Sequence, residues 1–338
     1  MNILVTGGTG YIGSHTVVEL QKKGFEVIIA DNLSNSSIDV VDNIGRITGV
    51  KPIFEKIDLS EQRTTQDLFN RYPGLNAVIH FAAFKAVGES VRLPLKYYRN
   101  NLVSLINLLR EMETHGIRDI VFSSSCTVYG QPDVLPVTEA APIKKAASPY
   151  GNTKQISEEI ITDVSNVTAI QAIMLRYFNP IGAHESALIG ELPLGIPENL
   201  MPYITQTAIG KREFVRVFGK DYHTPDGTAI RDYIHVVDLA KAHVIAIERM
   251  LEGKNKQKIE VFNLGTGIGY SVLDVIKSFE RTTKIKLAYR FLERRPGDVE
   301  EVWADTKFAN KELGWKAQQG LDEMTLSAWK WEQRLGGM

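Results

Sequence analysis

Cysteine is nearly absent from the sequence: Cys126 is the only one among 338 residues. A single thiol cannot form a disulfide within the chain and cannot build a cysteine-based zinc site. Zinc fingers and disulfide-rich secreted scaffolds are therefore excluded. A reducing compartment is the simplest explanation of this cysteine usage, so we expect a cytoplasmic protein.

Excess charge of one sign and long apolar runs are also lacking. Lys and Arg together number 39 against 40 Asp and Glu, a formal net charge of −1 at pH 7. Such a balance supplies no global field for nucleic acid or an anionic membrane. The longest apolar runs, such as 27–30 and 77–83, are far too short to cross a bilayer, and the N-terminus lacks signal-peptide features. We expect no nucleic-acid or membrane partner and no metal.

Short apolar, β-branched runs alternate with helix-period segments through the first half of the chain, at 3–5, 27–29, 52–57, 77–81, 120–123 and 169–175. This alternation predicts an α/β fold with a doubly wound parallel sheet covered by helices on both faces. The length exceeds what one core needs, so a second, smaller domain is expected. We place the first domain at 1–180, rejoined by segments near 233–237 and 261–264, and a smaller α/β domain at 181–338.

Three glycines follow the first predicted strand at intervals of three residues: Gly7, Gly10 and Gly13. Before a helix, such glycines permit a tight turn and let free backbone N–H groups approach a pyrophosphate. Asp31 ends the next strand, where an acidic group binds the adenine ribose and would repel a 2′-phosphate. The pattern favours NAD over NADP. A glycine turn without a ligand, and Asp31 as a turn residue with Asn32 and Asn35, are the alternatives.

A second signal lies at 148–154, where Ser148 suits a helix N-cap and Pro149 the first helical position. Tyr150 and Lys154 then fall at i and i+4 on one helix face. A phenol acting as a base near pH 7 needs its pKa lowered by roughly three units, about 4 kcal/mol. An adjacent lysine and a cationic nicotinamide can supply this stabilisation; a simple packing pair is the alternative.

Three serines, 123–125, end another predicted strand and put hydroxyl groups at the carboxyl edge of the sheet, where open α/β folds bind ligands. One of them can hydrogen-bond a substrate hydroxyl, and at least one is expected only to cap the strand end. Cys126 has no His-Asp partner set and is interpreted as a buried thiol.

Taken in order, these motifs resemble the extended short-chain dehydrogenase/reductase family, and within it the enzymes that epimerise UDP-hexoses. The resemblance runs nearly end to end, over 5–15, 80–90, the serine-rich strand end, 150–154, 175–180 and 231–236. It implies an isomerase that reversibly inverts carbon 4 of a UDP-hexose through a transient 4-keto sugar and tightly bound NAD.

The resemblance also implies roles for individual residues. Tyr150 would take the proton of the 4-hydroxyl, Ser125 would relay it by hydrogen bonding, and Lys154 would lower the tyrosine pKa and bind the nicotinamide ribose. The implied NAD contacts comprise the glycine turn, these three residues and Tyr11, Ile12, Asp31, Asn32, Leu33, Asn35, Ser36, Asp58, Leu59, Phe81, Ala82, Ala83, Lys85, Asn100 and Phe178. For Asp58, a helix N-cap with Glu61 three residues on is the alternative.

UDP carries a doubly charged diphosphate, so its partners should be cationic and polar. Arginine forks fit phosphate oxygens bidentately. Besides Ser125 and Tyr150, the resemblance implies a UDP-sugar site formed by Lys85, Asn179, Asn199, Leu200, Phe218, Arg231, Tyr233, Arg295, Asp298 and Val302. His80 and His235 lie in apolar strand-like runs and are interpreted as core histidines.

One departure from the family pattern concerns Val302, because members restricted to non-acetylated hexoses carry tyrosine there. A valine leaves a larger sugar pocket, so we expect UDP-GlcNAc and UDP-GalNAc to be accepted as well, unless a neighbouring side chain fills the space.

Two rival functions stay open at this point: another extended-family enzyme such as a sugar-nucleotide 4,6-dehydratase, and a non-catalytic NAD-sensing protein. A dehydratase needs an acid pair beside the base, whereas this chain has Cys126 and Thr127 there. A sensor could dispense with Tyr150 or Lys154, yet both are present. The family is usually dimeric through paired helices, so a homodimer is expected, with apolar faces at 102–109 and 156–164 that could instead be core.

Overall fold

The computed structural model describes residues 1–295 and 299–337. Over these residues the chain forms strands β1 (Asn2–Thr6), β2 (Glu26–Asp31), β3 (Ile53–Lys56), β4 (Leu75–His80), β5 (Asp119–Ser125), β6 (Gln171–Tyr177), β7 (Asn179–Ile181), β8 (Val215–Phe218), β9 (Ile230–His235), β10 (Ile259–Leu264), β11 (Gly269–Ser271), β12 (Tyr289–Leu292) and β13 (Glu301–Val302).

The helices that alternate with these strands are α1 (Tyr11–Lys22), α2 (Asp39–Thr48), α3 (Gln62–Arg71), α4 (Val87–Arg92), α5 (Pro94–Thr114), α6 (Pro149–Val167), α7 (Leu200–Ala208), α8 (Val236–Leu251), α9 (Val272–Thr283) and α10 (Leu321–Leu335). A 3-10 turn follows β5 at Cys126–Tyr129, and a π-helical turn spans Ala309–Leu313. Within the described residues, no helix is both long and apolar enough to span a bilayer.

Seven parallel strands form the main sheet, in the order β10-β6-β5-β4-β1-β2-β3. Alternate residues of its strands pack into two cores: Ile3 and Val5 lie in the core that includes α1 and α8, whereas Leu4 lies in the core that includes α3, α5 and α6. This confirms the doubly wound fold. The strand order reverses between β1 and β4, which places a ligand crevice at their carboxyl ends.

The two segments expected to rejoin the first domain behave differently. Residues 261–264 lie in β10, at the edge of the main sheet beside β6. Residues 233–235 lie in β9, which pairs with β7, β11 and β13 in a separate mixed sheet rather than with the main one. Residues 236–237 begin α8, whose Leu239 packs in the core of the main sheet. The domain division at residue 180 stays a prediction.

The second part of the chain has its own core, between the mixed sheet, the β8–β12 ladder and helices α7, α9 and α10. Its buried members include Met201, Ile204, Val217, Phe279 and Trp329. Strand β9 lies in the middle of the mixed sheet, and its pairing with neighbouring strands determines which expected ligand-binding residues lie opposite each other. Asn179 lies opposite Tyr233, and Val302 lies opposite Arg231.

Candidate active site

The glycine turn is too tight for side chains at two of its positions. Gly7 has a φ of +69°, and a Cβ there would lie 2.8 Å from the Ala82 nitrogen. A Cβ on Gly13 would lie 2.3 Å from the Gly7 carbonyl oxygen. Helix α1 begins directly after Gly10, which offers no side-chain cap, so its first N–H groups face the crevice end of the sheet. This cradle fits a pyrophosphate.

Asp31 joins the glycine turn to the loop after β2. Its carboxylate accepts hydrogen bonds from the backbone N–H of Thr9 (3.2 Å) and of Leu33 (2.9 Å), and from the Ser36 hydroxyl (3.4 Å). The carboxylate is thus held at the carboxyl end of β2, next to the turn. These hydrogen bonds stabilise the loop after β2, which agrees with the alternative that Asp31 is a turn residue. The carboxylate also lies at the position expected of a ribose-binding acid.

Asp58 does not cap a helix. Helix α3 begins at Gln62 with Glu61 as its N-cap, whereas Asp58 accepts two hydrogen bonds from Ser60, at 2.8 Å from the backbone and 2.7 Å from the hydroxyl. Asn32 donates to its other oxygen at 3.3 Å. Burial would raise the pKa of Asp58, but these hydrogen bonds outweigh it and hold the pKa below its ordinary value. Asp58 and Asn32, both expected NAD contacts, are therefore hydrogen-bonded to each other.

The tyrosine and lysine lie on one face of α6, as the sequence predicts. Ser148 caps the helix by accepting from the Gly151 N–H at 3.1 Å, and Pro149 takes the first helical position. Tyr150 interacts with the side chain of Ser125, at the end of β5. One turn further along α6, the Lys154 ammonium donates to the Ser123 carbonyl.

The pKa values of this pair are set mainly by burial. Burial raises the pKa of Tyr150 to about 12, although the Ser125 hydrogen bond opposes the rise. Burial lowers the pKa of Lys154 to about 8, against the attraction of Glu158. The net effect of the protein's own groups is therefore to raise the tyrosine pKa, and further stabilisation of a phenolate has to come from a bound positive charge.

The three serines have three different partners. The Ser123 hydroxyl is hydrogen-bonded to the Tyr177 hydroxyl, Ser124 donates to Glu158, and Ser125 accepts from the Thr127 N–H at 3.3 Å while also contacting Tyr150. Ser125 is thus the one whose hydroxyl reaches the tyrosine. Burial raises the pKa of the Cys126 thiol to about 12, as expected of an unreactive cysteine, although the residue as a whole is only partly buried.

Sequence patterns alone do not point to the buried ion pair behind Lys154. Arg176 of β6 donates to both carboxylate oxygens of Glu158, at 2.9 and 2.6 Å. Its third nitrogen donates to the Tyr129 hydroxyl at 3.0 Å. The one sequence feature that indicates a role for Glu158 is its spacing from Tyr150 and Lys154, which puts all three residues on one helix face.

Glu191 is another residue that the sequence does not single out. Its carboxylate accepts from Asn199 at 2.6 Å and lies 3.3 Å from the Lys85 ammonium. Lys85 also lies over the Tyr11 ring, 5.7 Å from its centroid. Glu191 therefore links an expected cofactor contact in the first part of the chain with an expected substrate contact in the second.

Other expected UDP-sugar contacts gather around β9 and β8. Arg231 donates to the Ile230 carbonyl at 2.8 Å, and the Arg295 guanidinium lies 4.7 Å from the centroid of the Phe218 ring. Leu200 begins α7, directly after Asn199. Val302 is 7% exposed and packs in a cluster with Phe178, an expected nicotinamide contact. Asp298 lies outside the described residues.

His80 and His235 are core histidines, as interpreted from the sequence. His80 is hydrogen-bonded to Thr6 at 2.8 Å, and burial lowers its pKa to about 3. His235 accepts from the Val237 N–H and caps α8, and burial lowers its pKa to about 4. In the part of the chain that the structure describes, no three His, Cys, Asp or Glu side chains form a group able to hold a metal ion.

Comparison with known proteins gives consistent matches over nearly the full length. The profile of a family described as GDP-mannose 4,6 dehydratase matches residues 4–327. The chain is 51% identical over 333 residues to the UDP-glucose 4-epimerase of Bacillus subtilis, covering 98% of this chain and 97% of that protein. It is 48% identical over 339 residues to the human UDP-glucose 4-epimerase, covering 98% and 96%.

Solved structures agree with these sequence matches. A UDP-glucose 4-epimerase from Stenotrophomonas maltophila with bound NAD and formylated UDP-arabinopyranose superposes with a TM-score of 0.96 at 47% identity, over 100% of this chain and 99% of that one. The Bifidobacterium longum enzyme in complex with NAD⁺ and UDP gives a TM-score of 0.95 at 46% identity, over 99% and 98%.

Proposed function

Because this chain belongs to the NAD-dependent epimerase/dehydratase family, among the UDP-glucose 4-epimerases, we propose that it interconverts UDP-glucose and UDP-galactose with NAD bound in the crevice. The observation that carries this function is the pairing of Tyr150 with Ser125 at the carboxyl edge of the sheet, in a chain about half identical to such epimerases over nearly its full length.

The glycine cradle and Asp31 would hold NAD, which would supply reversible hydride transfer at carbon 4 of the sugar. Tyr150 Oη would take the proton of the 4-hydroxyl and return it, so that no proton is gained or lost over the cycle. Ser125 orients that proton transfer through its hydroxyl group. Lys154 supplies positive charge and would bind the nicotinamide ribose.

The rest of the substrate would be bound by the groups around β8 and β9. Arg231 and Arg295 would neutralise the diphosphate, since arginine forks match phosphate oxygens. Phe218, which already stacks under Arg295, and Tyr233 would contact the uridine side. Asn179, Asn199 and Leu200 would complete this site, and the positions of all these residues along adjacent elements support the assignment.

The substrate range includes N-acetylated sugars in this proposal. Val302 is small and lies in the same buried cluster as Phe178 and Val128. A tyrosine at this position would place a ring among these side chains, whereas the smaller valine would leave room for an acetamido group on carbon 2.

The chain would act as a homodimer through helices α5 and α6. Leu105, Leu108 and Ile161 are buried in the core of the chain, so these parts of the expected faces are not available to a partner. Ile106 is 43% exposed, and Leu102, Val103 and Ile156 are partly exposed on the same two helices. We also retain the cytoplasm as its compartment, on the grounds of the lone cysteine.

The experiment that tests the function is turnover without added cofactor. Purified protein is mixed with UDP-galactose in large molar excess, and the nucleotide sugars are separated over time. An epimerase that carries its own NAD converts many equivalents to UDP-glucose. A net dehydrogenase would stop at one equivalent, a dehydratase would release a dehydrated keto sugar, and a non-catalytic sensor would give no product.

A further inference from the structure

Glu158 lies on α6 one helical turn beyond Lys154, on the face that also carries Tyr150. It is 8% exposed and Lys154 is 5% exposed. A carboxylate buried this deeply costs free energy unless it is paired and hydrogen-bonded. It lies directly behind the lysine of the candidate site.

The carboxylate is fully engaged by groups from two neighbouring strands. Arg176 of β6 binds it in a bidentate ion pair, and the Ser124 hydroxyl of β5 donates to one of its oxygens. Arg176 in turn donates to Tyr129, whose hydroxyl donates to Asn263 of β10 at 2.7 Å. The network therefore connects α6 with the strand end that presents Ser125.

The Glu158 carboxylate is thus the neighbour of two buried cations, Lys154 and Arg176. If its charge is removed, the two cations lose their compensation. Arginine cannot release a proton under these conditions, whereas a buried lysine readily can. The electrostatic consequence falls on Lys154, the residue whose positive charge the proposed chemistry uses.

We propose that Glu158 is a positioning residue of the reaction: its carboxylate, fixed by Arg176 and Ser124, holds Lys154 in the protonated state that the reaction requires. The proposal rests on the proposed function for the role of Lys154. The lowered pKa of Lys154, about 8, agrees with it, because Glu158 is the group that opposes the effect of burial there.

Other titratable groups face this region from each element that packs around it. His80 of β4 interacts with Lys154, but burial keeps its pKa near 3, so it is neutral above pH 5. Tyr177 and Arg176 come from β6, and Tyr129 comes from the turn after β5; burial raises the pKa of both tyrosines. From α5, the Tyr98 hydroxyl accepts from Asn152. Glu158 is the acidic group among these residues.

The test is a direct titration of Lys154. Protein labelled with ¹³C at the lysine ε-carbon is followed by NMR from pH 6 to 11, and the Lys154 signal is identified by its loss in Lys154→Met. Glu158→Gln should lower the Lys154 pKa by about one unit or more. Arg176→Met should raise it, because a neighbouring positive charge is gone while the carboxylate stays.

Opposite shifts from the two halves of one ion pair separate the proposal from a purely structural role. Both variants break the same pair, so a structural lock would leave the Lys154 pKa unchanged or move it alike in both, and either result overturns the proposal. If Glu158→Gln does not fold, the Lys154 pKa in Arg176→Met still tests the proposal, which requires that this pKa rise.

The pH profile of kcat for UDP-galactose gives the second readout. The alkaline limb should move to lower pH in Glu158→Gln by the shift that NMR measures; an unmoved limb contradicts the proposal. Glu260→Gln is the matched control, since Glu260 forms a similarly buried bidentate pair with Arg249 of α8. The Glu260→Gln variant should be less stable than the wild type, but the alkaline limb of its kcat profile should not move. An inactive wild type would refute the function, while the NMR titration would still test Glu158.

Discussion

Lys154 donates its hydrogen bond to the Ser123 carbonyl, two residues before Ser125 in the same strand. Its charge is therefore directed at the end of β5, and the phenol of Tyr150 keeps a pKa of about 12. One pKa unit corresponds to about 1.4 kcal/mol, so a phenolate at pH 7 requires roughly 7 kcal/mol of further stabilisation. A positive charge bound beside the phenol would supply such stabilisation.

Replacing Tyr150 with Phe should lower kcat by about 10² to 10⁴, the usual contribution of a positioned acid–base group. The substitution removes only the hydroxyl, so NAD binding should change little. Turnover is measured with UDP-galactose, and bound NAD is quantified after denaturing the protein. Activity near that of the parent protein would refute the role given to this tyrosine.

Replacing Val302 with Tyr should suppress epimerisation of UDP-GlcNAc while sparing UDP-galactose, because the new ring would occupy the space of an acetamido group. The measurement is the ratio of kcat/KM for the two sugars. A decrease of about tenfold or more in the relative value for UDP-GlcNAc is expected. Equal losses of kcat/KM for both sugars would show that residue 302 does not determine whether an acetamido group fits in the pocket.

Glu191→Gln should tighten UDP binding by about two- to fivefold, the effect of one partly screened charge. The carboxylate holds Lys85 and Asn199, and it would repel a diphosphate bound beside them. Calorimetric titration with UDP gives the Kd. Glu248→Gln on α8 is the control for net charge, since Glu248 pairs with Lys23 instead. Weaker binding in Glu191→Gln would mean that the carboxylate orients its two partners for the ligand.

Acid should destabilise the fold through four buried histidines. Burial lowers the pKa to about 3 for His15 and His80 and to about 4 for His235 and His243. The unfolded chain binds these protons below about pH 6.5, whereas the folded chain does not, so stability falls as pH decreases from 6.5 towards 4. The loss at pH 5 is about 2 kcal/mol for each group.

Urea unfolding at pH 7.5 and pH 5 measures this effect, with His243→Leu as the comparison. His243 packs between the rings of Phe81 and Tyr177, so leucine there costs stability at both pH values. The variant should nevertheless lose about 2 kcal/mol less than the wild type between them. An identical loss in both proteins would show that His243 titrates normally.

Much of the fold and part of the site could be predicted from local sequence. Apolar strand runs identify the parallel sheet because each strand of such a sheet is buried on both faces. The glycine turn, the Ser148 cap and the shared face of Tyr150 and Lys154 are also local, since they depend on residues a few positions apart. The register of Arg231 with Val302 is not local, and neither is the separation of β9 from the main sheet.

The sequence by itself determined the kind of chemistry: a dinucleotide turn, a tyrosine and lysine one helical turn apart, and a serine at a strand end. Tertiary structure decided which charges surround them. Glu158 meets Arg176 across 18 positions, and Glu191 meets Lys85 across 106. Such pairs form only when separate elements pack together, and burial strengthens the interaction of Glu158 with Arg176 by excluding water. The electrostatic environment of the site is therefore determined by the tertiary structure and cannot be read from local sequence.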